Sequence, residues 1–187
     1  MLEKQLLGKT MKKILFILMP KGFQETEFKV PFTMLQDEGY AIDIVGLEAG
    51  DAIGHQGTHV KTTGTISKLT PQNIEGYEAV VIPGGPGSVD YLWDNEPLQA
   101  LVKQFHQKNK IIATICYACI VPVQADILQE TVATVYPTNQ AKGILAEHGV
   151  EFSEEGCVSN TKKRVITAQS PKFAKQFAQA ILVMLEH

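Results

Sequence analysis

The chain lacks the features that would make it a membrane, secreted or nucleic-acid-binding protein. No apolar run approaches the ~18 consecutive residues that a membrane span requires. The opening MLEKQLLGKTMKK has neither the apolar stretch nor the small-residue cleavage site of a secretory signal. Cysteine is scarce and odd in number; three residues do not build a disulfide framework, which predicts a reducing, cytoplasmic compartment. Seventeen Lys and Arg against 20 Asp and Glu give a formal net charge of −3, with no basic footprint for nucleic acid or an anionic membrane. Internal repeats, low-complexity tracts and domain linkers are also missing. What remains is an ordinary globular composition, 44% hydrophobic and 20% charged, long enough to bury a core in one domain. Residues 1–12 are expected to form an N-terminal extension, with Met11 a candidate start, and 13–187 a single domain.

Short apolar runs alternate with helical patterns along that domain. Lys13–Met19, Ala41–Val45, Ala79–Ile82, Ile111–Ile115, Thr131–Val135 and Arg164–Ala168 read as strands. Thr26–Gly39, Glu96–Lys110, Thr138–His148 and Pro171–Leu185 read as helices, and Cys119–Leu128 can continue as another. Pro31 is awkward beyond a first helical turn, so the first helix is expected to start late or to kink. The turn-rich Gly46–Gly64 predicts a small hairpin. Such alternation gives βαβ units, hence an α/β fold in three layers around a mostly parallel sheet covered on both faces. Ligands of such sheets bind beyond the carboxyl ends of the strands, near a topological switch point. Three strands end in distinctive chemistry, at Pro20–Glu27, Pro83–Gly87 and Cys116–Cys119, and if those ends lie side by side they converge on one pocket.

Cys116 closes the buried run IIATI and opens a second stretch. At a sharp strand-to-helix turn, first-turn N–H groups and the helix dipole favour the thiolate and predict a thiol below the ordinary ~8.5. The competing reading is a small buried hydrophobe. PGGPGS, Pro83–Ser88, has neither the phosphate-loop nor the dinucleotide pattern. It is either a tight connection needing positive φ, or a device by which Gly85 brings an N–H to a developing oxyanion. Glu25 and Glu27 begin a helix, where carboxylates cap N–H groups; spacing does not say which reaches a pocket. Cys119 sets a C-x-x-C spacing with Cys116 and is a candidate resolving thiol, or else faces the helix core. His55, His59, His106 and His148 are explained by exposed loop or helix positions, and Cys157 by a polar turn. No second ligand pair has zinc spacing, so no metal is expected.

Together PKGFQETEFKVP after the first strand, EAVVIPGG, the ATIC elbow, Tyr136-Pro137 and ITAQSP resemble the ThiJ/PfpI superfamily from about Lys13 to the last helix. That resemblance implies a flavodoxin-like α/β/α sandwich, related to class I glutamine amidotransferases and commonly a homodimer. It matches Cys116 to the elbow cysteine, Glu27 to the acid bonded to it, and Gly85 and Tyr117 to the oxyanion N–H donors. Gly84, Tyr136 and Pro137 fall at the pocket. Three positions depart from the pattern. Tyr117 stands where protease-like members have histidine, Tyr136 where the deglycase branch often has it, and Ala118-Cys119 replaces a small residue and proline. The implied function is a cytoplasmic stress-response protein acting without cofactor on small reactive carbonyls, through Cys116 and Glu27. A cysteine-oxidation sensor or chaperone-like protein is the alternative; a peptidase or amidase is demoted by Tyr117.

Overall fold

The computed structural model describes residues 12–187, so the expected extension falls almost wholly outside the described residues. In chain order the first half runs β1 (Lys13–Leu18), β2 (Lys21–Phe23), α1 (Glu25–Asp37), β3 (Ala41–Gly46), β4 (Ala52–Gly54), β5 (His59–Val60), α2 (Pro71–Glu75) and β6 (Tyr77–Ile82). Next come α3 (Ser88–Tyr91), α4 (Glu96–Gln107), β7 (Ile111–Ile115) and α5 (Ile120–Gln124). The chain ends with β8 (Val132–Ala133), α6 (Asn139–Glu147), β9 (Glu151–Phe152), β10 (Cys157–Asn160), β11 (Val165–Ala168) and α7 (Ala174–Leu185).

Six strands form the central sheet in the order β10-β11-β7-β6-β1-β3. All neighbours are parallel except the edge strand β10, which runs antiparallel to β11. The inner strands β6 and β7 are apolar on both faces because both faces are covered. On one side α1 packs on α7, which lies over β7 and β11; α4 packs on β6 and β7, with α2 and α5 against it. From β1 the chain goes to β3 on one side and then returns to β6 on the other. The switch point therefore lies between β1 and β6, with β7 next to them. The three-layer, mostly parallel architecture expected from the sequence is the one observed.

Several elements differ from the pattern-based reading. α1 runs through Pro31, and its N-terminus is capped by Gln24, whose Oε1 accepts the N–H groups of Thr26 and Glu27. The helix expected over Cys119–Leu128 is a four-residue 3-10 turn, Cys116–Cys119, and then the short α5. Thr131–Val135 supplies only the two-residue β8, which pairs with β9 away from the main sheet. Cys157 lies in the edge strand β10 rather than a turn. The predicted hairpin is present as β4 and β5, joined by β2 into a small three-stranded sheet. Among the described residues no helix is long and apolar enough to cross a membrane.

Candidate active site

The ends of β1, β6 and β7 do lie side by side, and they meet backbone to backbone. The Gln24 N–H donates to the Gly84 carbonyl at 2.8 Å and the Gly87 N–H to the Gly22 carbonyl at 3.2 Å. A Cβ on Gly85 would run into the Gly22 carbonyl and the Gln24 nitrogen, and its φ of 128° is one that L-residues avoid. A Cβ on Gly84 would lie 2.6 Å from the Ile115 oxygen and 3.0 Å from the Cys116 Cβ. The glycines are thus spent on packing two loops against the elbow.

Cys116 leaves β7 with φ at 62°, in the left-handed region. It is 5% exposed and opens on a cavity of about 350 Å³. Gln24, Gly85, Pro86, Tyr117, Tyr136 and Pro171 line the rest of that space, together with His55. Glu27, wholly buried, sits behind the sulfur. Its Oε2 accepts the Gly84 N–H at 2.8 Å, while Oε1 is buried with no hydrogen-bond partner. Burial pushes this carboxyl up to about 8, against the opposing effects of the neighbouring thiol and the Gly84 N–H. Burial, followed by the facing Glu27 carboxylate, pushes the Cys116 thiol up as well; the Tyr117 N–H bonded to sulfur opposes them. The expected lowering of the thiol is therefore corrected. The 3-10 turn gives the sulfur one aligned N–H rather than the dipole of a full helix.

The two acids that spacing left undecided have separate tasks. Glu27 faces the sulfur, whereas Glu25, 3% exposed, accepts the Gln56 N–H at 2.7 Å and the Thr58 N–H at 3.4 Å. Tyr117 lies over the cavity, 5.0 Å from Tyr136 and 5.8 Å from Trp93 between ring centroids. The Trp93 Nε1–H donates to the Tyr117 carbonyl at 2.9 Å. Tyr136 is at the cavity but Pro137 is not among its lining; Pro86 and Pro171 take that place. Gly84 likewise serves Glu27 and the elbow rather than the cavity wall.

Cys119 is fully buried and donates from sulfur to the Ala168 carbonyl at 3.4 Å, and burial pushes its thiol up to about 12. Its side chain thus faces the core, and all three cysteines are free thiols. His148 pairs with Asp126 at 3.0 Å, and His59 is exposed on β5. Sequence reasoning missed His55 as a wall of the cavity. No local signal could have found it, because sixty-one positions of chain separate it from Cys116. Among the described residues no cluster of three His, Cys, Asp or Glu side chains is arranged to hold a metal.

A flavodoxin-like sandwich with a cysteine elbow at the sheet's switch point, backed by a buried glutamate, defines the class of protein. The chain belongs to the DJ-1/PfpI family, whose model matches residues 12–184. It is 36% identical over 174 residues to an uncharacterised protein of Methanocaldococcus jannaschii, covering 93% of this chain and 82% of that one. A deglycase of Pyrococcus horikoshii is 30% identical over 140 residues, covering 75% of this chain and 80% of that one. The crystal structure of a ThiJ/PfpI domain protein from Brachyspira murdochii superposes with a TM-score of 0.85 at 25% identity, covering 95% of this chain and 98% of that one.

Proposed function

We propose that this protein is a cofactor-independent enzyme acting on small reactive carbonyls, of the glyoxalase or deglycase kind, through Cys116 and Glu27. The observation that carries this reading is a wholly buried carboxyl, raised to about 8, set beside the thiol of a small cavity. A group that titrates near working pH suits proton transfer. Ionised Glu27 takes the Cys116 proton as sulfur adds to the aldehyde carbon of an α-oxoaldehyde. The C–S bond forms while the carbonyl electron pair moves to oxygen, where the Gly85 and Tyr117 N–H groups receive it. Transfer of the carbon-bound hydrogen to the neighbouring carbon, through an enediolate, leaves a 2-hydroxyacyl thioester. Hydrolysis releases the acid, and Glu27 returns its proton to the departing sulfur. The likeness to the deglycase named above supports the deglycase form of this reading. The odd cysteine count and the family resemblance support a cytoplasmic homodimer.

The test is turnover of methylglyoxal by the full chain. We expect Cys116→Ser and Glu27→Gln each to lose at least about 100-fold in kcat/KM. In the wild type kcat/KM should rise as pH increases through about 8, since the ionised carboxyl is the base, and Glu27→Gln should abolish that limb. The second reading is an oxidant sensor, favoured by the same carboxyl, which when protonated donates to an oxidised sulfur. No turnover of any α-oxoaldehyde, together with a stable sulfinate at Cys116 after peroxide, would select it.

A further inference from the structure

The chemistry proposed for this site needs a base on the substrate's side of the sulfur, and Glu27 is on the other side. It is 0% exposed, holds the Gly84 N–H with one oxygen, and is absent from the cavity wall. Four side chains that do line the cavity can titrate: Cys116, Tyr117, Tyr136 and His55. Cys116 is the nucleophile. A tyrosine hydroxyl ordinarily titrates near ~10, far from neutrality. His55 is left, and an imidazole is the side chain most often used as a general base. A cavity of about 350 Å³ admits only a small molecule, and His55 shares its lining with Cys116.

The turn that carries His55 is fixed to the first helix. The His55 N–H donates to the Phe23 carbonyl at 2.7 Å, and the Gly54 N–H to the Thr58 carbonyl at 2.8 Å. Glu25, in the first turn of α1, places its carboxylate under this turn and accepts the N–H groups of Gln56 and Thr58. A Cβ on Gly54 would strike that carboxylate, so the turn lies directly on it. Lys29, one helical turn further, donates to the Thr58 hydroxyl at 3.4 Å. A buried carboxylate is costly to keep, and here it is spent on the backbone that presents one imidazole to the cavity.

We propose that His55 is a further catalytic residue, the base on the open side of the pocket, and that Glu25 is the positioning residue that holds its turn. The inference rests on the reading that Cys116 forms a covalent adduct. The imidazole takes the carbon-bound proton of the adduct, and the freed electron pair forms the carbon–carbon double bond of the enediolate. It then returns that proton to the neighbouring carbon, leaving the thioester with an oxyanion on that carbon. In the second half His55 takes a proton from water as hydroxide adds to the thioester carbon. The imidazolium passes this proton to the neighbouring oxyanion, and the tetrahedral intermediate expels sulfur, which is protonated by Glu27. No oxidant or reductant is involved.

His55→Gln and Glu25→Gln in the full chain test this with methylglyoxal and p-nitrophenyl acetate. In His55→Gln, iodoacetamide should still label Cys116 as in the wild type, while methylglyoxal turnover falls at least about 100-fold. With the ester, His55→Gln should give a burst of one equivalent and then stall, with the acyl group retained on Cys116 in the intact mass. The titratable groups around this turn are Glu25 and Lys29 of α1, bonded to Gln56 and Thr58 beside His55, and Tyr117, Tyr136 and Cys116, which line the same cavity. On its acid side the wild-type profile should therefore fall with two protonations, that of Glu27 and a further one at His55, and His55→Gln should lose only the further one. Glu25→Gln should keep both but lose about tenfold in kcat at unchanged KM. Wild-type-like turnover, or an acid side as steep as the wild type's, in His55→Gln would overturn the role of His55 alone. A wild type that forms no adduct with either reagent would overturn the carbonyl reading, and this one with it.

Discussion

Cys116 holds φ at 62°, a region that costs a non-glycine residue of order 1–3 kcal/mol, and it does so in a shell of packed backbone. The strain aims the sulfur away from the sheet and toward Glu27, but the same shell removes the water that would stabilise a thiolate. After burial, the influence that most raises the thiol is the charge of the Glu27 carboxylate. Glu27→Gln removes the charge. In a Cys119→Ser, Cys157→Ser background, the wild-type alkylation midpoint of Cys116 is therefore expected above the ordinary ~8.5. In Glu27→Gln it should move down. A midpoint that does not respond to position 27 would separate the carboxyl from the sulfur.

The loops after β1 and β6 act as one element because glycine lets their backbones touch. Gly85→Ala brings a methyl group against the Gly22 carbonyl and the Gln24 nitrogen at a φ of 128°. Neither neighbour is a flexible side-chain end, so we expect a loss of about 2 kcal/mol or more in urea unfolding, with turnover falling alongside. Gly143, inside α6, makes the useful contrast. Nothing lies within 4 Å of its added Cβ, and Gly143→Ala should gain about 0.5–1 kcal/mol, as an ordinary helix interior does. If both substitutions destabilise equally, the close approach of the two loops is not what Gly85 serves.

For the whole molecule, Glu27 links stability to pH. Its carboxyl is at about 8 in the folded chain against an ordinary 4.5, so the folded state keeps a proton that the unfolded state has released. The associated stability is fully present below about 4.5, declines as pH rises, and is lost by passage through about 8. Urea unfolding from pH 5 to pH 9 should show this decline in the wild type. Glu27→Gln, which has no proton to lose, should flatten it and overtake the wild type on the alkaline side. A wild-type curve rising over that range would mean that other groups dominate the linkage.

The parts of this protein that could be read from its sequence are those in which one residue's neighbours in the chain are also its neighbours in space. β1, β6 and β7 announce themselves as apolar runs because they are buried on both faces, and α4 by Leu98, Leu101, Val102 and Phe105 along one stripe. The elbow cysteine and the glycine loop were visible as abrupt endings of those runs. Short, polar or edge elements such as β2, α2 and β10 were not, since a few half-exposed residues carry no periodicity. The sequence itself determined the layered architecture and a thiol at the end of a central strand, through hydrophobic periodicity and backbone preference. Only the tertiary structure decided which glutamate meets the sulfur, how burial sets both titrations, that Cys119 turns into the core, and that His55 joins the pocket's lining. Those outcomes depend on desolvation and on contacts between segments distant in the chain, and neither exists until the sheet has assembled.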